Sequence, residues 1–309
     1  REQEGGLASL ELRLSNWASD TEGGADYAFE AEAEVHLGST LVVSAGDLAD
    51  SQELFRGIVT ALEAEFKGDA PPELLILAED RLQLSRQARR TEIYEQKSLA
   101  DIASTISQRL GLQAQITGLS NSIGLWVQLN ESDLAFLRRL LRQYDAEVQI
   151  VGDRLEVLPF AELRRQSIEL RLGEDLRQVR FIADLAHQVS EVTSAGWNAS
   201  SGEAVSGIGR GLSLGPGSGR SGASLLAQSL AERSEHVGQI GVTTTGEAQA
   251  LADAVYDQRA RRFVTAEGTA TGHPGIRVGC HLRLSGVSPR FTNTYAIIST
   301  HHRFDLREG

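Results

Sequence analysis

The sequence predicts an α+β protein that is mainly β, with two antiparallel β regions flanking a small α/β module. Three observations carry this prediction. Residues 1–92 alternate apolar and polar side chains with the period of half-buried strands. Residues 93–160 switch to three- and four-residue apolar spacing. Residues 161–309 return to strand patterning, with a Gly/Ser-rich stretch at about 200–222 and one helix at about 246–262. These spans are the expected domains.

In the first region Leu10, Leu12 and Leu14 fall on one face of an extended segment, with Glu11 and Arg13 on the other. Residues 16–26 are a polar interruption. Strands are expected over Leu41 to Ser44, over Leu54 to Phe66, and over Leu74 to Leu77 after a break at Pro71-Pro72. Nothing here sustains a helical period, so a small antiparallel sheet or barrel is expected.

In the middle region Ser98 caps a helix whose stripe is Leu99, Ile102, Ala103, Ile106 and Leu110, ended by Gly111. A second helix starts at Ser132, with Leu134, Phe136, Leu137, Leu140, Leu141 and Tyr144 on its stripe. Strands over Glu147 to Val151 and Arg154 to Leu158 are joined through Gly152-Asp153 as a tight hairpin, and Pro159 closes the unit.

In the third region Ile168, Leu170 and Leu172 alternate, and strands follow over Val179 to Ile182 and Val189 to Trp197. Ser200 to Gly222 carries no hydrophobic period and is expected as a long surface loop, with a helical stretch from Ala223 to Arg233 after it. A helix from Gly246 to Arg262 has Thr243 to Thr245 available as caps. Three strands are expected near Phe263 to Gly268, His281 to Leu284 and Tyr295 to Phe304. Residues Leu37 to Ser44 also line up with Val278 to Ser285, each followed by an aromatic (Phe55, Phe291) and a further strand. That pattern is what an internal duplication leaves.

Composition narrows the function. The chain has 309 residues, 30 basic and 42 acidic side chains, and a formal charge of −12. An acidic surface argues against broad nucleic-acid binding, which needs Lys and Arg to displace counterions. No window approaches eighteen uninterrupted apolar residues, so no transmembrane segment is expected. The single cysteine, Cys280, excludes an intrachain disulfide and a multi-cysteine zinc site. The absence of methionine leads us to expect an internal piece of a longer protein.

Candidates for chemistry are weak. Gly217-Ser218-Gly219-Arg220-Ser221-Gly222 has the dinucleotide-binding spacing, but Gly-rich residues rather than a buried strand precede it, so a flexible loop is the better reading. No phosphate loop of the Gly-Lys-Ser/Thr kind occurs, and serine nucleophile elbows of Gly-x-Ser-x-Gly form are expected to be absent. His281, His301 and His302, with Cys280 and Asp305, have metal-ligand chemistry, yet adjacent strand residues point to opposite faces. Glu30, Glu32 and Glu34 read as a solvated strand face, and the basic runs at residues 86–90, 138–142 and 259–262 as solvated faces or subunit salt bridges. No catalytic, cofactor-binding or metal residue is assigned, and no enzyme is expected.

The run Gln128-Leu129-Asn130-Glu131-Ser132-Asp133-Leu134-Ala135-Phe136-Leu137-Arg138-Arg139-Leu140, a strand end feeding a capped helix, resembles a segment of phage late control D proteins, VgrG spike proteins and related hubs of contractile injection systems. Ser98 to Ala103 with Gly111-Leu112, Leu54 to Val59, and Gly275 to Gly279 leading into Tyr295 to His301 resemble other parts of the same family. The resemblance implies two tail-tube-like antiparallel β-barrel domains per chain, with the α/β module inserted between them. It implies a homotrimer whose six barrels match a six-fold tail tube above. A spike protein or fused spike domain lies below, with other baseplate components around. It also implies assembly in the bacterial cytoplasm into a virion tail or injection-system baseplate. An acidic wall repelling DNA or acidic cargo follows as an expectation. Two rivals remain open: a β-rich binding or adhesion module, which needs Trp17, Trp126 and Trp197 on one exposed face, and a tail-associated cell-wall hydrolase, which needs two carboxyls facing across a cleft.

Overall fold

The computed structural model describes residues 1–19, 22–29, 35–46, 51–211, 216–238 and 241–306. Ser9–Ser15 (β1), Thr40–Ala45 (β2), Gln52–Lys67 (β3) and Ala70–Glu79 (β4) form an antiparallel sheet in the order β1-β4-β3-β2. Alternation places Leu12 and Leu14 against a core of Val59, Leu74 and Ile76. Pro71-Pro72 does not break the region as expected. The chain turns at Gly68-Asp69, where Lys67 pairs with Ala70, and the prolines occupy the start of β4. A missing N–H costs little at a strand's first residues. A 3-10 turn over Arg81–Arg86, capped by the Asp80 carboxylate accepting from Leu82 N–H, has no counterpart in the expected elements. Its leucines, Leu82 and Leu84, alternate as strand residues would.

The middle segment contains Arg89–Lys97 (β5), Leu99–Arg109 (α1), Gln113–Ile116 (β6), Gly124–Ser132 (β7), Asp133–Arg142 (α2), Ala146–Val151 (β8) and Arg154–Pro159 (β9). Both helices start where their serines predict. Ser98 accepts from Asp101 N–H while the Asp101 carboxylate accepts from Ser98 N–H, and Ser132 accepts from Ala135 N–H. Their stripes meet in the largest core cluster, with Leu99, Ile102, Ala103, Ile106, Phe136 and Leu137 fully buried. The β8–β9 hairpin forms as expected, and β9 also pairs in parallel with β6. Strand β5 runs through residue 92 and pairs antiparallel with β7. α2 stops at Arg142, leaving Tyr144 beyond the helix, where it packs edge-on to Trp126.

The third segment contains Ser167–Arg171 (β10), Leu176–Ala183 (β11), Glu191–Asn198 (β12), Glu203–Gly209 (β13), Gly222–Ser229 (α3), Ser234–Val237 (β14), Thr245–Ala260 (α4), Val264–Ala270 (β15), His281–Ser285 (β16) and Asn293–Ala296 (β17). Several expectations are corrected here. The stretch from 200 to 222 contains strand β13, paired antiparallel with β12. Its buried positions are Val205, Gly207 and Gly209, so two of the three carry no side chain for a hydrophobic period to register. α3 ends at Ser229 rather than Arg233. Tyr295 to Phe304 is not one strand: β17 ends at Ala296, Ser299–Thr300 pair separately with Glu2–Gln3, and Phe304 is exposed. Nor is the segment wholly antiparallel, since β10 pairs in parallel with β16, and β12 with β14. The remaining ladders are antiparallel, β16 with β17 and β11 with β15. Among the described residues the strands form open sheets of two to four strands, and none closes into a barrel. The fold is thus α+β and mainly β.

Candidate functional site: a duplicated turn and exposed apolar faces

The similarity between residues 37–44 and 278–285 extends to backbone geometry. Gly38 and Gly279 both have φ of 86°. Ser39 N–H donates to the His36 carbonyl at 3.1 Å, and Cys280 N–H to the Arg277 carbonyl at 3.1 Å. Gly38 N–H donates to Val59 O at 2.9 Å, and Gly279 N–H to Ile297 O at 3.1 Å. Val59 and Ile297 return the bond to Ser39 O and Cys280 O, both at 2.9 Å. In each case a glycine turn launches a strand (β2, β16) that folds antiparallel onto the next (β3, β17). The copies differ beyond that. Phe55 sits in β3 opposite Val43, whereas Phe291 precedes β17 and stacks on Phe181 at 4.9 Å. β16 has β10 on its other side, while β2 is an edge among the described residues.

The β5–β7 ribbon has one face of each kind. Tyr94 turns inward and stacks on Phe136 at 5.6 Å, beside buried Gln128 and half-buried Trp126. The opposite face carries Ile93, Leu125, Val127 and Leu129, with Ile93 directly across from Val127. All four are exposed, Leu125 and Leu129 by about two thirds (66% and 67%). Contiguous exposed apolar side chains mark interaction surfaces, and a two-stranded ribbon also offers unpaired edges. Phe66, at the end of the β3–β4 hairpin, is exposed and meets Tyr27 edge-on. Trp17 and Trp197 are exposed but stand beside different sheets, and Trp126 donates its indole N–H to Lys97 O.

The residues with chemical potential are not gathered. Cys280 is buried, His302 Nε2 lies 2.7 Å from the Ile276 carbonyl oxygen, and no three His, Cys, Asp or Glu side chains among the described residues could share a metal. Ser221 in the Gly-rich hexapeptide caps α3, and no strand of the described residues feeds it directly. Contrary to the expected absence of a nucleophile-elbow pattern, Gly211-Leu212-Ser213-Leu214-Gly215 spells Gly-x-Ser-x-Gly. Residues 212–215 lie outside the described residues, as do Glu30, Glu32 and Glu34. A cavity of about 180 Å³ opens between Trp126, Tyr144, Val242 and Leu251. The carboxylate lining it, Glu247, is engaged by the N–H and hydroxyl of Thr243 as part of the α4 cap. Five arginines of the basic runs are paired within the chain: Arg86 with Glu79, Arg90 with Asp133, Arg139 with Glu131, Arg259 with Glu235 and Arg261 with Asp145. No helix among the described residues is long and apolar enough to cross a membrane.

The fold recurs in proteins of phage tails. The 43 kDa tail protein of prophage MuSo2 from Shewanella oneidensis superposes with a TM-score of 0.67 at 13% identity, over 96% of this chain and 86% of that chain. Prophage tail protein gp18 from Listeria monocytogenes gives 0.57 at 15% identity, over 96% and 81%. The tail protein from Neisseria meningitidis gives 0.57 at 11% identity, over 89% and 87%. No curated protein matches by sequence. The family model described as the Alg8 N-terminal domain matches residues 19–305, nearly the whole length, and the chain belongs to that family.

Proposed function

We propose that this chain is a structural subunit of a contractile phage tail or injection-system baseplate, a hub that assembles as a homotrimer to join a six-fold tail tube to a three-fold spike. The observation that carries the reading is the turn repeated at Gly38 and Gly279, with three equivalent backbone hydrogen bonds in each copy. Two related units per chain let three chains present six-fold quasi-symmetry. In this reading residues 1–92 and 161–309 are the two tail-tube-like domains, and residues 93–160 the insert. The fold shared with tail proteins supports it. So do the open sheets, whose unpaired edges are free to pair with strands of neighbouring chains. The role is scaffolding, without catalysis or cofactor. The tube, the spike and other baseplate proteins are the partners, joined after assembly in the bacterial cytoplasm.

The test is sedimentation of the purified chain alone and with tail-tube and spike proteins from the same genome. A mass three times that of the chain, and co-sedimentation with both proteins, is the expected result. A monomer that captures neither overturns the proposal.

A further inference from the structure

The cavity of about 180 Å³ lies where the middle segment meets the third. Trp126 of β7 and Tyr144, just past α2, line it from the middle segment, and Val242, with Glu247 and Leu251 of α4, from the third. The two rings stand 6.4 Å apart at 70°, so they make two walls close to a right angle. Alternation along β7 turns Trp126 inward while its neighbours Leu125 and Val127 stay exposed, and the indole N–H donates to Lys97 O at 2.9 Å. A dry cavity of about 150 Å³ holds a benzene ring, so this one has room for a group of at least that size.

Three polar groups on this wall have bonding capacity to spare. Glu247 uses Oε2 for the N–H groups of Thr243 and Thr244 and for the Thr243 hydroxyl, while no hydrogen bond among the described residues reaches its Oε1. The Tyr144 hydroxyl and the Gln143 side-chain amide make none among the described residues either. Glu247 is also the one charged residue among those lining the cavity. Burial, and then the Glu247 charge, push the Tyr144 phenol up to about 12, so it keeps its proton and adds no second negative charge.

These groups select among ligands. An anion would meet the Glu247 charge, and the N–H groups of Thr244 and Glu247, which would draw an anion to the start of α4, are already taken. A wholly apolar ligand would strip water from a carboxylate and leave it unpaired, which is costly. An organic cation meets neither objection. Its charge pairs with Glu247 Oε1, the π-systems of Trp126 and Tyr144 attract it, and its alkyl stem covers Leu125, Val242 and Leu251. We propose that this cavity binds an organic cation of the guanidinium or alkylammonium class, the size of one arginine or lysine side chain, with Glu247 as its counter-charge and Trp126 and Tyr144 as aromatic walls. That chemistry comes either as a free small molecule or as a side chain of a polypeptide. The site is complete within one chain, so it does not depend on the hub reading or on a trimer.

The indole N–H signals of the full chain, followed by nitrogen-15 NMR, test this, with Trp126→Phe identifying the signal of the cavity. The probes are N-acetylarginine amide, an acetylated tripeptide amide with arginine between two leucines, and the citrulline counterpart of each, which has the same shape without the charge. Both arginine probes should move the Trp126 signal saturably while those of Trp17 and Trp197, which stand beside other sheets, stay in place. A tripeptide that binds more tightly assigns the cation to a polypeptide, and equal affinities assign it to a small molecule. Glu247→Gln keeps an oxygen for the Thr243 and Thr244 N–H groups but removes the charge, and should weaken binding about tenfold or more. Tyr144→Leu should weaken it about threefold or more, and carries the test if Glu247→Gln fails to fold. No saturable movement at Trp126, an equal response to the citrulline probes, or undiminished affinity in either folded variant overturns the proposal.

Discussion

Gly38 and Gly279 hold the same place in two copies of one turn, at the same φ of 86°, but only Gly279 is backed by a buried side chain. A β-carbon at 38 meets nothing within 4 Å, whereas one at 279 would lie 3.0 Å from Cγ and Cδ1 of buried Leu163. Gly38→Ala should therefore cost about 1 kcal/mol for the left-handed backbone. Gly279→Ala should cost that plus about 1–3 kcal/mol of overpacking. Urea unfolding of the two variants measures the difference, and equal losses would mean that Leu163 yields freely.

A second pair of glycines sets how closely β13 approaches α4. A β-carbon on Gly207 would stand 2.4 Å from the Ala248 backbone, and one on Gly209 2.3 Å from Ala252 O. Ala248 and Ala252 are themselves fully buried, so strand and helix meet backbone to backbone. Gly207→Ala and Gly209→Ala should each destabilise by about 1–3 kcal/mol or more. Gly272→Ala, with open space around it, should stay within about 0.5 kcal/mol. Thermal or chemical unfolding of the three variants decides it.

The same glycines explain what could be read from the sequence. The middle helices were legible because Ser98 and Ser132 cap them and because leucine, isoleucine and phenylalanine mark their buried stripe. β13 was not, because its inward face is Val205, Gly207 and Gly209, and a glycine that buries its backbone leaves no hydrophobic signal. Parallel pairing of β10 with β16 joins residues more than a hundred positions apart, and nothing local in either strand encodes it. The turn repeat was legible as a weak alignment, and the hydrogen bonds now give it physical content. The burial of Glu147, which accepts from Gly5 N–H, was invisible, since a lone glutamate in a strand pattern reads as solvent-facing.

Asp80 should leave a mark on stability against pH. Burial, opposed by the N–H groups of Ala8 and Leu82, pushes its carboxyl up to about 6. A carboxyl raised by folding binds its proton more tightly in the folded chain, so its contribution is full below the unfolded value of 3.8 and is lost as pH rises to about 6. The loss amounts to about 3 kcal/mol across that interval. Asp80→Asn keeps an oxygen for one of the two N–H groups but cannot titrate, so its unfolding free energy should lack this component. Urea unfolding at several pH values for both proteins checks it, and parallel curves would show that Asp80 does not titrate in this range.

The outer face of the β5–β7 ribbon gives the most direct test of association between copies. Leu125 and Leu129 project from β7 into solvent, and Tyr94 and Gln128 on the other face already fill the contact with α2. Because the two leucines hold no part of the core, Leu125→Asp and Leu129→Asp should change the unfolding free energy of the chain by no more than about 0.5 kcal/mol each. A buried carboxylate with no cation opposite is costly, so if this face meets a neighbouring chain the same substitutions should dissociate the assembly. Sedimentation equilibrium of folded variants separates the two effects. A trimer that survives both substitutions would place the ribbon outside the interface and leave the edge strand β2 and the β3–β4 hairpin with Phe66 as the surfaces to substitute next.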